Sequence, residues 1–246
     1  MHTFIYKAAN KCDDIIFLIG AEARHVATVL RLSEGEIVRL IDGQGDTEIC
    51  EIAEISTGRV ECRIIKKVRN SGEASLSVTL AAGLSQASKF DSIIEKGTEV
   101  GVRNFVPLLT DKGKVKIDKP GTLTRKMNRW QRVCEAAVKQ TGRSIIPHIN
   151  EPISLEEYLG KTDSQSTILF HPEGTQLNAT DIFSNFRGKA LTIITGPESG
   201  FSPNEIDMVI KKGCAVYSLG ERVLRAETAG IVFSALAIYL FESVKA

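Results

Sequence analysis

Short apolar runs with partial period-two alternation fill the first 70 residues: "TFIY", "EIVRLID", "TEICEIAEI" and "RVECRIIKKV". Successive side chains of a strand point to opposite faces, so such runs predict half-buried strands. The turns "DGQGD" and "STG" punctuate them, and one short helix is predicted over "EARHVATVL". This is the pattern of a small barrel-like β domain over 1–70. The polar stretch "RNSGEAS" (69–75) then reads as a linker.

From position 75 onward the pattern changes to strands alternating with helices. "SVTLAAGL" and "NFVPLLT" read as strands, and between them "KFDSIIEKGTEVGV" places Phe90, Ile93, Ile94, Gly97 and Val100 on one helical face. "LTRKMNRWQRVCEAAVKQTG" predicts a long basic helix closed by Gly142. The strands "STILF" and "LTIITG", the helix "PNEIDMVIKKG" and the strand "AVYSLG" follow, and a nearly all-apolar helix over 229–241 comes last. Repeated strand–helix units predict an α/β domain over 75–246, its mostly parallel sheet covered on both faces.

A chain of 246 residues with 43% hydrophobic and 25% charged residues has the composition of a globular protein with ample core. No uninterrupted apolar run of about 18 residues occurs, so no membrane span is expected. The opening "MHTFIYKAANKCDD" does not read as a signal peptide. Five scattered cysteines and four histidines without metal spacing predict a reducing cytoplasm, no disulfide framework and no metal site.

A net charge of +1 is silent about partners, but its distribution is not. Between positions 111 and 143 stand ten lysines and arginines (Lys112, Lys114, Lys116, Lys119, Arg125, Lys126, Arg129, Arg132, Lys139, Arg143) against three acids. Such a stripe suits a phosphate backbone, and equally a solvated helix face. Trp130 within it reads as a core anchor, with a stacking platform as the alternative.

Two strand-to-loop transitions carry the candidate chemistry. In "LTIITGPESGFSPNEID" a buried strand ends in a glycine-rich turn, and Ser202, Pro203 and Glu205 predict the start of a helix. Ligands of open α/β sheets bind beyond the carboxyl ends of strands. The turn matches neither the dinucleotide nor the triphosphate fingerprint. In "AVYSLGERVLRAETAG" a second strand ends at Gly220, and Arg222 and Arg225 precede the apolar helix, with Glu227 or Thr228 available as its cap. The amino-terminal end of a helix repels cations. If Arg225 is half-buried near that helix mouth, it requires an anionic partner: a ligand, or a structural carboxylate such as Glu227 or Glu198.

"GPESGFSPNE" followed by "LGERVLRAETA" and a closing apolar helix resembles the ribosomal small subunit methyltransferase E family of the SPOUT superfamily. "ARHVATVLRLSEGEIVRLIDGQG" is similar to the family's PUA-like RNA-binding domain. "KFDSIIEKGTEVGVRNFVPLLTDK" and "RWQRVCEAAVKQTGRSIIPHI" are similar to its internal motifs. The resemblance implies a homodimer that uses S-adenosyl-L-methionine (SAM) to methylate N3 of a uridine in 16S rRNA, free or in the assembled small subunit. It also implies a deep carboxyl-terminal trefoil knot in the SPOUT domain. Ser199 and Lys139 depart from the family's usual glycine and glutamate.

The same resemblance implies a cofactor cradle made of Gly196, Pro197, Glu198 and Gly200 on one loop, Leu219, Gly220, Arg222, Val223 and Leu224 on the next, and Thr228. Phe170, His171 and Pro172 end a third strand at the same sheet edge and are candidates for a further wall, His171 being read equally as a structural residue. Arg225 is the candidate for stabilising charge on the uridine oxygens, because a guanidinium aimed there lowers the cost of removing the N3 proton. Arg222 is assigned to a phosphate or to the cofactor carboxylate. Glu198, Glu227 and bulk hydroxide acting through water are alternative general bases, and Arg143 would approach the partner subunit's site. Arg24, His25, Arg31 and the "DGQGD" turn in the front domain, with Arg129 and Arg143, are the candidate RNA contacts. A non-catalytic RNA-binding protein of the same fold and a methyltransferase acting on tRNA or ribose 2′-OH are the competing readings.

Overall fold

The structure, a computed structural model, describes residues 1–115, 121–176 and 188–245. Lys116 and Lys119 of the basic stripe lie outside the described residues. The chain divides into two compact units, Met1–Glu73 with Glu135–Ile146 and Ala74–Cys134 with Pro147–Ala246.

The first unit is built on a six-stranded sheet. Its strands are β1 (Thr3–Ile5), β2 (Lys11–Cys12), β3 (Ile15–Ile19), β4 (Ile37–Ile41), β5 (Asp46–Ser56) and β6 (Arg59–Arg69). Their order is β1-β4-β5-β6-β3-β2, antiparallel except for the parallel β1–β4 pair. Strands β1 and β2 are edges, so the described sheet is not hydrogen-bonded into a closed barrel. Helix α1 (Gly20–Arg24) runs on into a π-helical turn, His25–Leu30, which ends at Arg31 in the left-handed region (φ 53°). The alternation read from the sequence buries Phe4, Ile16, Leu18, Leu40, Cys50, Ile52, Val60 and Cys62 in one core. Burial, as the largest cause, pushes the Cys50 and Cys62 thiols up to about 12.

Two buried polar clusters stand out among the described residues of this unit. Glu48 accepts a hydrogen bond from the Tyr6 hydroxyl at 2.8 Å and pairs with the Lys11 ammonium. Burial first, and then the Glu48 carboxylate, hold the Tyr6 hydroxyl above its ordinary value. Glu73 anchors the second cluster. It pairs with the Arg143 guanidinium at 2.8 Å, and its Oε1 also accepts from the backbone N–H of Ser144 (3.1 Å) and Ile145 (2.9 Å). The 69–75 stretch is therefore no plain linker: Arg69 ends β6 and Glu73 is a buried anchor.

Arg143 requires a correction. It was expected to bind RNA or to reach a partner subunit's site, but it is 2% exposed and committed to Glu73. An arginine drawn out of that pair would leave a buried carboxylate without its countercharge.

The second unit is α/β. It contains β7 (Ser77–Gly83), α2 (Ala87–Glu99), β8 (Asn104–Leu109), α3 (Thr122–Thr141), β9 (His148–Ile149), β10 (Ile153–Ser154), α4 (Leu155–Lys161), β11 (Thr167–Gln176), β12 (Ala190–Thr195), α5 (Pro203–Lys211), β13 (Ala215–Ser218) and α6 (Ala226–Lys245). The division between units falls within α3, after Cys134. The sheet order is β10-β8-β7-β12-β11-β13 with β9 beside β8, and every pairing is parallel. Trp130 of α3 is a core residue, 1% exposed, with its ring 4.9 Å from that of Phe90.

Helix α6 packs on β7, β12 and α2 and buries Phe233, Ala237 and Phe241. Gly230 permits the close approach: a Cβ there would stand 3.1 Å from a Leu80 methyl. By length and composition α6 would also suit a membrane crossing, with mean hydropathy 1.3 over Ala226–Ser243. Its buried face is already occupied by the sheet and α2.

Removing one partner of a buried, hydrogen-bonded ion pair strands the other charge. Glu73→Ala and Arg143→Ala should each cost about 3–5 kcal/mol in stability. Denaturant unfolding of the full chain checks this, and a loss below 1 kcal/mol would contradict the structural role.

Candidate active site

Strands β12, β11 and β13 lie side by side, and the segments leaving their carboxyl ends enclose a cleft of about 460 Å³. Each segment is shaped by its own sequence. After β12, Gly196 and Pro197 turn the chain, the Gly200 N–H donates to the Pro197 carbonyl (2.8 Å), and Gly200 takes φ 68°. Helix α5 then starts in a capping box: the Glu205 N–H donates to Ser202 Oγ (3.2 Å), and the Ser202 N–H to Glu205 Oε2 (2.7 Å), with Pro203 in the first turn. This is the start that Ser202, Pro203 and Glu205 predict.

Strand β11 contributes a bulge. It pairs with β13 at Phe170 and again only at Thr175, so residues 171–174 leave the ladder. A Cβ at Gly174 would stand 2.6 Å from the Tyr217 carbonyl carbon, so glycine is required for the bulge to lie against β13. His171 and Pro172 line the cleft from this bulge, and His171 Nδ1 accepts from the Glu173 N–H at 3.3 Å. Phe170 stacks on Phe233 of α6 at its floor.

The third wall follows β13. Leu219, Gly220, Arg222, Val223, Leu224 and Arg225 line the cleft, and α6 begins at Ala226. Arg225 thus immediately precedes the helix, and its carbonyl accepts from the Ala229 N–H at 2.8 Å. Glu227 and Thr228 lie inside the first turn and are not its cap, which corrects that reading; Glu227 lines the cleft, and Thr228 is not among the residues lining it. The Arg225 side chain is exposed and makes no hydrogen bond or ion pair among the described residues. Two buried oxygens on the cleft wall, Thr195 Oγ1 and Glu227 Oε2, also lack a partner among the described residues.

Glu198 is differently placed. Its Oε1 is 2.9 Å from the Lys89 ammonium of α2. Burial pushes its carboxyl up, but the hydrogen bond from Lys89, its own backbone N–H and the charges of Lys89 and Lys114 outweigh this and hold it below the ordinary carboxylate value.

Comparison with known proteins fits this geometry. The RNA methyltransferase domain matches residues 72–238, and the RNA methyltransferase PUA domain matches residues 18–65. The ribosomal RNA small subunit methyltransferase E of Synechocystis sp. (strain ATCC 27184 / PCC 6803 / Kazusa) is 32% identical over 232 residues, 93% of this chain and 74% of that protein. The chain belongs to the ribosomal RNA small subunit methyltransferase E family. The family's Bacillus subtilis member is 28% identical over 218 residues, 86% of this chain and 85% of that protein. A Legionella pneumophila structure in complex with the bound cofactor SAM superposes with a TM-score of 0.82 at 28% identity, over 98% of this chain and 97% of that one. The family's Neisseria gonorrhoeae member, bound to S-adenosyl methionine, has the same fold (TM-score 0.84, 24% identity, 99% and 98% covered).

Of the residues that the family resemblance assigned to the cofactor, all but Thr228 line the one cleft, and Arg225 lines it with them. Lys89, Thr195, Phe201, Tyr217 and Phe233 also line it and were not foreseen. Thr195 directly precedes the glycine turn, a position the sequence could have flagged. Lys89 and Phe233 reach the cleft only through helix packing. The candidate RNA contacts are elsewhere: Arg24 and Arg31 are exposed in the first unit, and His25 sets its ring edge-on to Phe4 at 5.7 Å. The "DGQGD" turn is closed on itself, Asp42 Oδ1 accepting from the N–H groups of Gln44, Gly45 and Asp46. Arg129 is exposed on α3 and pairs with Asp91.

Because Lys89 lowers the Glu198 pKa, their pairing is present above the ordinary carboxylate value and is lost as pH falls through the lowered one. In Lys89→Met the Glu198 carboxyl should titrate at higher pH than in the parent. Carboxyl-carbon NMR titration reads this, and an unmoved midpoint would show that the pair does not set the value.

Proposed function

We propose that this cleft binds SAM and transfers its methyl group to N3 of a uridine in 16S rRNA. The observation that carries the reading is the mouth of α6, where the exposed Arg225 guanidinium and an unpartnered Glu227 oxygen face one cleft. A cleft of about 460 Å³ is of the size that takes a cofactor. Its glycine-turned loops and orphaned Thr195 and Glu227 oxygens offer polar partners to a nucleoside and an amino acid. Gly196–Gly200 and Leu219–Leu224 hold the cofactor by backbone groups, and Phe170, Pro172 and Phe233 cover its apolar parts.

SAM supplies an electrophilic methyl on a cationic sulfur. N3 of uridine must lose its proton to become a competent nucleophile. Arg225 stabilises the negative charge that then spreads onto the flanking uracil oxygens. A carboxylate with a lowered pKa is a weak base, so Glu198, tied to Lys89, is a poor proton acceptor, and the role is assigned to Glu227, whose Oε2 has no partner among the described residues. Arg222 holds a phosphate or the cofactor carboxylate.

The remaining assignments rest on the same reading. The front domain (1–70) holds the RNA through Arg24, His25 and Arg31, and the domain over 75–246 performs the transfer. That domain is knotted as a trefoil, a reading supported by the return of α6 onto β7 and β12 after β13. The enzyme is a homodimer in the cytoplasm, supported by Tyr239 exposed at 68% on an apolar helix and by five free cysteines.

Arg225→Ala should lower kcat by about 10²–10³ while SAM affinity and melting temperature hold. Arg225→Lys should recover little, since an ammonium cannot span two oxygens as a planar fork does. Single-turnover methyl transfer to small-subunit rRNA, with calorimetric SAM titration alongside, makes the test. A folded Arg225→Ala enzyme with near-parental turnover would reject the role.

A further inference from the structure

A second, smaller cleft of about 190 Å³ adjoins the first and shares Lys89 and Glu198 with it. It opens at the carboxyl end of β7, where the chain passes through Leu84, Ser85 and Gln86 into α2. Three features of its wall belong together. Helix α2 has 13 residues, yet Gln86 makes no side-chain cap and no acid stands in its first turn. The Lys89 N–H donates to the Gln86 carbonyl at 3.0 Å, which leaves the Ala87 and Ser88 N–H groups without an intrahelical partner, and the dipole makes that end positive. Lys89 stands in that turn, where a cation is unfavourable, and Lys114 lines the same cleft. Ser85 is 2% exposed, and its hydroxyl has no hydrogen-bond partner among the described residues.

A buried hydroxyl without a partner costs stability. A helix mouth facing two lysines and a single carboxylate is also unfavourable. Both costs are removed by an anion with several acceptor oxygens. Glu198 is the one carboxylate among the described residues that line this cleft; it pairs with Lys89 and feels the charge of Lys114, so the two lysines and the helix end outnumber it. We propose that this cleft is an anion subsite for a backbone phosphate of the acceptor RNA strand, held by Ser85, Lys89, Lys114 and the first N–H groups of α2. The inference rests on the reading of the chain as an rRNA methyltransferase. The wall shared with the cofactor cleft sets the phosphate beside the nucleotide that receives the methyl group. A base is the poorer occupant, because among the described residues only Leu84 and Val115 offer apolar surface there and none that lines the cleft is aromatic.

Lys114→Gln and Ser85→Ala test this in the full chain, by fluorescence anisotropy with a single-stranded fragment of small-subunit rRNA across a salt series. One lost phosphate contact should lower the slope of log affinity against log salt by about 0.7 in Lys114→Gln. Ser85→Ala should lose about tenfold in RNA affinity, the scale of a hydrogen bond to a charged group. Its melting temperature without RNA should hold or rise, because a stranded hydroxyl is gone; a purely structural serine would lower it. SAM affinity should stay within about twofold in both variants, given that neither side chain lines the cofactor cleft. Parental RNA affinity and salt slope in both variants would overturn the subsite, as would a SAM affinity that falls in step with RNA. Competition by inorganic phosphate at millimolar concentration, with no effect of either variant on RNA, would mark a site for free anions and overturn the assignment to RNA. A parental chain that binds RNA but transfers no methyl group would sink the functional reading and leave the subsite result standing.

Discussion

The carboxyl ends of β7 and β12 approach more closely than two side chains would allow. A Cβ at Gly83 would stand 2.3 Å from the Pro197 nitrogen, so backbone meets backbone there. That contact fixes the turn 196–200 over the end of β7, and both clefts depend on it. The turn walls the larger cleft, and the residues just after Gly83 open the smaller one. The same economy recurs at Gly174 against Tyr217. Rigid backbone contacts place the loops with less freedom than long side chains would, as sites that must hold a reacting geometry require.

Charge in this protein sorts by burial. Glu73 with Arg143, and Glu48 with Tyr6 and Lys11, are buried and matched, and they serve the first unit's own structure. Around the clefts the balance differs. Arg225 precedes α6 without an ion pair among the described residues, and Lys89 stands in the first turn of α2 with Glu198 as its partner. Both cations occupy the end of a helix that repels them. Glu198 offsets that cost for Lys89, and for Arg225 the anion is the one that the proposed reading supplies.

Much of the fold was legible because it is local. Period-two runs marked β1, β4, β5 and β6, and Ser202, Pro203 and Glu205 marked the start of α5 with its capping box. The short strands β2, β9 and β10 and the helix α4 were not legible, since a few residues carry no period and are held only by their neighbours. Glu48 broke the expected pattern in β5, because a charged residue on the core face is permitted only where Tyr6 and Lys11 meet it. In the site, the two glycine-bearing loops were readable from their motifs. Arg143 misled because its sequence context, the end of a basic helix, says nothing of a carboxylate 70 residues earlier.

The sequence by itself determined the kinds of element, the two glycine-bearing loops with their arginines, and the family to which they point. These are properties of short stretches, set by steric preference, capping and periodicity. Only the tertiary structure decided which charges were spent on stability and which were left for a ligand. It alone brought Lys89 to Glu198, buried Arg143 on Glu73, stranded the Ser85 hydroxyl and set two clefts on either side of one ion pair. The reason is physical: a side chain's charge is written in the sequence, but its solvation and its partner are fixed by what folds against it.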